Sequence, residues 1–597
     1  MTIAIEQIRI VFLNKITELK TVTRVNTSGS LKPLETGKKI AGIQSGWLIA
    51  ACLLLISLVT WFTFQHSLWN GFVNYDDNIY VYENEAIKDF NSDGLISFFT
   101  GNVGQYPPLT MMVFSLIHHF AGLNPQPYHT VNLLLHILNS LLVFFFIYHI
   151  DRKIIAALIA GLLFGVHPLH VESVAWITEL KDVLYSFFFL LALISYQLFT
   201  ASRKNRYLYF LTLLFFLLSC LSKGMAVVFP LVLLALDRYQ SGKIDQKAWI
   251  EKIPFFIIAL IWGLLTLITQ QSMGAVGGTD AIGWFERIFI SAYGSIWYLV
   301  KMIVPLNLSV LYPMPVSEGG GLPLIIYLSP FAAVVIAIGT IKARKVRKIL
   351  VFGVLFYLIN LLLVLQLIPV GMAITADRYF YLSSVGIFFI VASLPGQLAE
   401  KSHGLRTVVF IAVVICITIL SGLTHTQVKV WENSVTLWNQ VLKKHEPYRG
   451  YALAYTNRGD AYSDRNDFEA AIRDYDRALE LNPVYVDALN NRGLIRGLRQ
   501  QYTEALKDFD EAIRIRPDFA KAYNNRGNAK RFLGDGEGAL MDFNKAIEIK
   551  PNYLDARVNR GIIFFLIGNK QAACNDWQYV KDAGSGGADQ LLLDYCR

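Results

Sequence analysis

One tripeptide recurs at a fixed interval of 34 residues near the end of the chain: Asn457-Arg458-Gly459, Asn491-Arg492-Gly493, Asn525-Arg526-Gly527 and Asn559-Arg560-Gly561. Pro483, Pro517 and Pro551 keep the same spacing, as do Ala478, Ala512 and Ala546. A period of this length is one helix–turn–helix unit. Such a unit cannot bury its apolar face alone, so successive copies must stack into an α-solenoid. The glycine lets the first helix of each unit pack closely on the second. The proline opens the loop to the next unit, because it cannot continue a helix.

Small residues in both helices and a proline at the repeat end form the tetratricopeptide pattern. Four repeats fill 448–584, followed by a C-terminal tail at 585–597. Arrays of this kind mostly hold peptides or proteins in their concave groove. Asn457, Asn491 and Asn525 are therefore candidate acceptor-binding residues, able to hydrogen-bond an extended backbone. The alternative is that these Asn-Arg pairs simply belong to the repeat consensus. Residues 428–447, with Val428, Trp431, Leu437, Trp438 and Val441 at helical spacing, predict a linking helix in front of the array.

The rest of the chain is a different material. Residues 448–597 hold 22 Lys+Arg and 22 Asp+Glu, whereas the first 447 hold 32 and 23, so the net charge of +9 lies wholly there. The whole chain is 54% hydrophobic and only 17% charged, against about 25% charged in globular domains. That excludes a disordered chain and a small disulfide scaffold. It points to a membrane domain with basic cytoplasmic loops rather than to a nucleic-acid partner.

Apolar runs occupy 47–64, 128–149, 154–166, 183–200, 207–221, 225–236, 253–269, 323–341, 349–368, 380–395 and 406–423. A span needs about 20 apolar residues, and with their flanks these predict about 11 spans over 46–427. Two further runs, 108–121 and 287–304, read as interfacial or re-entrant helices. The fold class is all-α: a polytopic transmembrane helical domain followed by a tetratricopeptide solenoid. Basic clusters at Lys38-Lys39, Arg152-Lys153, Arg203-Lys204-Arg206, Lys243/Lys247/Lys252 and Lys342–Lys348, with a weaker one at Lys401 and Arg406, mark cytoplasmic loops. The polar stretch 1–45 is then a cytoplasmic tail, and the repeats lie outside. Cys574 and Cys596 then face an oxidising compartment and form a candidate disulfide, two free thiols being the alternative. Cys52, Cys220 and Cys416 read as core residues.

Ionisable residues at membrane depth are functional candidates by default. Three clusters fall on the predicted outer face. Asp76 and Asp77 are adjacent carboxylates after the first span, suited to general-base work or metal binding, or merely a solvated acidic loop. His167, His170 and Glu172 lie around Pro168, with Lys181 and Asp182 following. They read as a hydrogen-bonded set shaping a pocket, since no metal-binding His-Glu-x-x-His pattern is present. Asp377, Arg378 and Tyr379 begin a span, and Lys223 sits between two. Each cation is either a snorkelling anchor or a phosphate clamp. Such a face suits a lipid-linked anionic substrate, or a transporter gate.

The order of these clusters resembles the transmembrane-and-tetratricopeptide-repeat O-mannosyltransferases and their bacterial relatives, polytopic glycosyltransferases of the GT-C fold. The resemblance rests on Tyr75-Asp76-Asp77, Tyr106-Pro107-Pro108-Leu109-Thr110, Gly122-Leu123-Asn124-Pro125 with Tyr128-His129, His167 through Val174, Leu221-Ser222-Lys223-Gly224, and Ala376-Asp377-Arg378-Tyr379 through Ser383. It implies a GT-C-like domain over 46–427 that takes a sugar, mannose by analogy, from a polyprenyl-phosphate carrier. The acceptors implied are Ser/Thr hydroxyls of an exported protein, held by the repeats. Asp76 or Asp77 would be the base of an inverting displacement. Arg378 and Lys223 would hold the phosphate, while Glu172 and the two His shape the cavity. No cofactor beyond the lipid-linked donor is firmly implied, and participation of a divalent metal stays open. The other function class is a membrane-anchored repeat scaffold organising envelope proteins. With no organelle retention signal at Asp594–Arg597, a bacterial inner membrane is the simplest expected location.

Overall fold

The computed structural model describes residues 35–88, 90–100, 107–203, 205–272, 283–313, 321–343, 346–367, 373–399, 403–443 and 449–596. The stretch 1–34, Tyr106, Lys204 and Lys401 lie outside them.

Every one of the eleven apolar runs contains a helix, but their lengths divide them. Among the described residues seven helices are long and apolar enough to cross a membrane, or eight if the pair Ile154–Val166 and Pro168–Ala175, bent by 54°, counts as one broken span. The runs at 207–221, 225–236 and 349–368 give shorter helices: Arg206–Ser222, Phe229–Ser241 and Arg347–Leu361. At 1.5 Å rise per residue these reach roughly 20–25 Å, short of a hydrocarbon core of about 30 Å. The count of 11 therefore holds for helices and not for full-length spans. The run at 287–304 is the helix Trp284–Ile303, which buries Arg287, Ser291 and Ser295 and is not among the candidate spans. The first helix begins at Glu35, so it extends into what reads as tail.

The helices form an inner and an outer set. In its most apolar 18-residue stretch Ile177–Ser202 has 78% of its residues buried, whereas Gln246–Gln271, Leu324–Lys342 and Thr407–Trp431 each have 11% and turn apolar faces outward. Cys416 lies on such an outward face and is exposed, unlike the buried Cys52 and Cys220; it is not a core residue. Two inner helices touch backbone to backbone: a Cβ on Gly353 would strike the Gly386 carbonyl, and the reverse also holds. Only glycine permits that approach.

Each repeat is the expected helix pair, from Ala452–Ser463 with Phe468–Leu481 to Leu554–Leu566 with Lys570–Asp582. A Cβ on Gly459, Gly493 or Gly527 would sit 2.6, 2.7 or 2.8 Å from the ring of Tyr475, Phe509 or Phe543. The arginines form a ladder. Arg526 grips Asp542 of its own repeat with Nε (2.9 Å) and Nη2 (2.6 Å), and reaches back to Asp510 at 2.7 Å. Arg492 and Arg560 repeat this geometry with Asp508 and Asp576. In the first repeat, Arg458 reaches back instead to Asn439 at 2.8 Å. The linking helix Ser434–Leu442 thus stands where a preceding repeat would stand. At the far end the tail folds as a helix, Asp589–Tyr595. A Cys574–Cys596 disulfide pins it, with Cα atoms 5.7 Å apart.

Candidate active site

The loop after the first span is bolted to both domains. Gly71 N–H donates to the Glu432 carbonyl (2.9 Å), and Asn74 accepts from the Trp438 indole (2.8 Å) and donates to the Asn457 carbonyl (2.6 Å). Tyr75 stacks on Trp176 at 4.8 Å, and Trp176 stacks on Trp431 at 5.3 Å. This aromatic column ties the loop, the membrane core and the linker into one body.

The two adjacent acids are not equivalent. Asp77 is buried, and accepts hydrogen bonds from Val73 N–H (2.9 Å), Thr178 N–H (3.0 Å) and the Thr178 hydroxyl (2.5 Å). Burial pushes its carboxyl up to about 6 despite those bonds. Asp76 accepts no side-chain hydrogen bond among the described residues and lines an open cleft. Burial raises its carboxyl too, against the pull of Lys181 and Arg378.

Behind Asp76 lies a buried network of three cations and three carboxylates. Glu179 is the hub: Lys223 Nζ is 3.1 Å away, Arg378 Nε 3.6 Å and Lys181 Nζ 3.7 Å. Lys223 also binds Asp182 at 2.6 Å. The carboxylates outweigh burial and hold the Lys223 ammonium above its ordinary value. Arg378 pairs through Nη1 with Glu172, whose other oxygen accepts the Arg378 backbone N–H at 3.0 Å. Its guanidinium lies over Trp176 and Tyr379, at 5.5 and 5.0 Å. Its Nη2 has no protein partner among the described residues, and it is the most exposed cation of the network.

The remaining candidates are scaffolding. His167 uses both ring nitrogens, on the Met302 carbonyl (3.0 Å) and the Leu169 N–H (3.2 Å). His170 does the same between the Phe164 carbonyl (2.8 Å) and the Ser384 hydroxyl (3.2 Å). Both are buried; they hold the bend before Glu172 and do not line the cleft. Asp377 is buried and accepts from the Tyr312 hydroxyl at 3.0 Å, on the short strand paired with Ala373–Thr375. Thr110, of the Pro-Pro-Leu-Thr motif, donates to the Ser222 carbonyl beside Lys223 (3.0 Å), so two distant motifs meet. No group of three or more His, Cys, Asp or Glu among the described residues is arranged to hold a metal.

The cleft, about 560 Å³, has Asp76, Tyr82 and Glu83 on one wall and Asn457, Asp460 and Asn491 on the other. The first two repeats thus open directly onto Asp76. Asn491 and the Tyr475 hydroxyl both donate to Asp460, at 2.8 and 2.7 Å. Asn525 is not in the cleft; it donates to Asn490 at 2.9 Å, in the inter-repeat ladder. The sequence missed Glu179 and Trp176, which have no repeat or spacing to mark them.

Tetratricopeptide repeat models match residues 456–520 and 520–553. The chain is 24% identical over 477 residues to a Caenorhabditis elegans protein named as a protein O-mannosyl-transferase, covering 77% of this chain and 66% of that one. It is 40% identical over 96 residues to the human protein O-mannosyl-transferase TMTC1, a stretch that is 15% of this chain and 10% of the human protein. A crystal structure of MamA protein is 23% identical, covering 22% of this chain and 72% of that chain, with a TM-score of 0.21.

Proposed function

We propose that this chain, an integral membrane homologue of proteins named as protein O-mannosyl-transferases, transfers mannose from a polyprenyl-phosphate carrier to Ser/Thr hydroxyls of exported proteins. The observation that carries the proposal is the position of Asp76. Its carboxylate is unpaired, with a cation network behind it and a cleft walled by tetratricopeptide repeats in front. An acceptor hydroxyl in that cleft gives its proton to Asp76. Its oxygen forms the new bond to the anomeric carbon as the bond from that carbon to the phosphate oxygen breaks. Attack from the face opposite the phosphate inverts the configuration. The phosphate gains a negative charge as it leaves, and the open edge of Arg378 receives it. Lys223 and Lys181 act through Glu179, fixing the field around Arg378. Asp77 positions its neighbour by tying the loop to Thr178. The repeats raise the local concentration of the acceptor. The positive-inside rule puts the N-terminus in the cytoplasm and the repeats outside, and a bacterial inner membrane is the location we assign.

The test supplies the protein, in nanodiscs, with radiolabelled polyprenyl-phosphate mannose and extracts of exported proteins. Label on Ser or Thr is expected. Absence of label with that donor and with a panel of other lipid-phosphate sugars would favour the membrane-anchored scaffold.

A further inference from the structure

The cleft has a polarity that transfer as such does not require. Among the described residues its charged lining is Asp76, Glu83, Asp460 and Asp464, with no Lys, Arg or His. Two of the four come from the loop after the first span and two from the first repeat, so opposite walls carry the same sign. Neither Glu83 nor Asp464 has an ion-pair partner among the described residues, and partial burial, with the Glu83 charge adding to it, raises the Asp464 carboxyl.

The repeat pattern shows that these acids are particular to this place. Positions equivalent to Asp460 are Leu494, Asn528 and Ile562; those equivalent to Asp464 are Leu498, Phe532 and Leu566. Only the repeat that faces Asp76 is acidic there. Residues 451–483 hold seven Asp+Glu and four Arg, whereas 484–517 hold five and six Lys+Arg. The acids that build the solenoid, Asp474, Asp508, Asp542 and Asp576, are all paired with arginine. Asp460 and Asp464 pair with no arginine among the described residues; Asp460 accepts instead from Tyr475 and from Asn491 of the next repeat, and Asp464 is left with its charge uncompensated. Among the described residues no three carboxylates are set close enough to chelate a metal, and the charge is spread over both walls of a cleft of about 560 Å³.

We infer that the acceptor is a basic segment, with a Lys or Arg close to the accepting hydroxyl whose cationic head seats between Glu83 and Asp464. This rests on the proposal that Asp76 serves acceptor hydroxyls in this cleft. The site is then divided in two. Cations behind Asp76 serve the anionic donor, and carboxylates in front of it serve the cationic acceptor. Complementary charge of this kind selects partners and speeds encounter more than it adds raw affinity.

Binding of fluorescent peptides to the full chain in nanodiscs, without donor, tests this apart from chemistry. One peptide carries Lys on both sides of a Thr, and the other carries Gln in their place. The Lys peptide is expected to bind about tenfold tighter in dilute buffer, with the preference collapsing as salt screens the cleft. Glu83 and Asp464 are exposed, so Glu83→Gln with Asp464→Asn is expected to fold and to lose the preference. Glu83→Lys with Asp464→Lys puts two cations where the peptide's cationic head would seat and is expected to turn the preference toward a Glu-flanked peptide, an outcome that misfolding does not produce. Equal binding of the Lys and Gln peptides, or an undiminished preference in the Gln/Asn variant, overturns the inference. Transfer to both peptides alike would leave the role of Asp76 standing without the charge selection. Selective binding with no transfer to either peptide would leave the charge selection and remove the enzyme.

Discussion

Lys223→Met is expected to destabilise the membrane domain, and the network says by how much. Lys223 is 8% exposed and bridges Glu179 and Asp182, at 3.1 and 2.6 Å. With Lys181 and Arg378 it balances Glu172, Glu179 and Asp182, three charges against three. Deleting it leaves one uncompensated negative charge in a buried site. Breaking a buried pair from one side costs about 3–5 kcal/mol, a large part of the roughly 5–15 kcal/mol that holds a domain together. Adding Asp182→Asn removes the surplus charge while keeping an oxygen for the Ser173 hydroxyl, 3.0 Å away. The double variant is expected to recover about half of the loss. Thermal unfolding in nanodiscs reads both, with lipid-phosphate binding measured beside it. If Lys223→Met melts like wild type but binds polyprenyl phosphate more weakly, Lys223 is itself the phosphate clamp and the hub role of Glu179 is refuted.

Gly527→Ala is expected to cost about 1 kcal/mol, since a methyl group 2.8 Å from the buried Phe543 ring outweighs the roughly 1 kcal/mol gained in helix propensity. Gly497→Ala, with nothing within 4 Å, keeps the gain, and the two thermal midpoints should move in opposite directions. Cys574→Ser opens a loop of 22-residue separation and is expected to cost the terminal repeat about 3 kcal/mol, seen as faster proteolysis at Asp589–Tyr595. Burial pushes the Asp460 carboxyl up to about 6. It is therefore neutral below that pH and charged above it, so affinity for a Lys-bearing peptide is expected to rise roughly two- to threefold between about pH 5 and 7. Asp460→Asn should flatten that rise, and an unchanged slope would argue against it.

What could be read from the sequence was whatever repeats or runs continuously. The solenoid announced itself because glycine, proline and alanine must recur at one period for the helices to stack. The apolar runs gave the helices, although hydropathy alone does not separate a short buried helix such as Arg206–Ser222 from a full span. The site was legible only in outline. Asp76 and Asp77 look alike in sequence; what separates them is Thr178, 101 residues away, whose amide and hydroxyl both point at Asp77. Nothing in the sequence singles out Glu179, and its role as hub exists only once Lys223 and Arg378 fold around it. Likewise, His167 and His170 have the composition of a site but spend their nitrogens on backbone and hydroxyl groups. The Cys574–Cys596 pairing was legible as a candidate, because both cysteines fall on the predicted outer side; the helix it pins, Asp589–Tyr595, adds only seven residues to the signal.

The most direct measurement compares transfer by Asp76→Asn and Asp77→Asn, assayed separately with labelled polyprenyl-phosphate mannose and with folding followed by thermal unfolding. Asp76→Asn is expected to melt like wild type and to lose about 10²–10⁴-fold in rate, while Asp77→Asn loses stability together with activity. Wild-type turnover by Asp76→Asn would contradict the account.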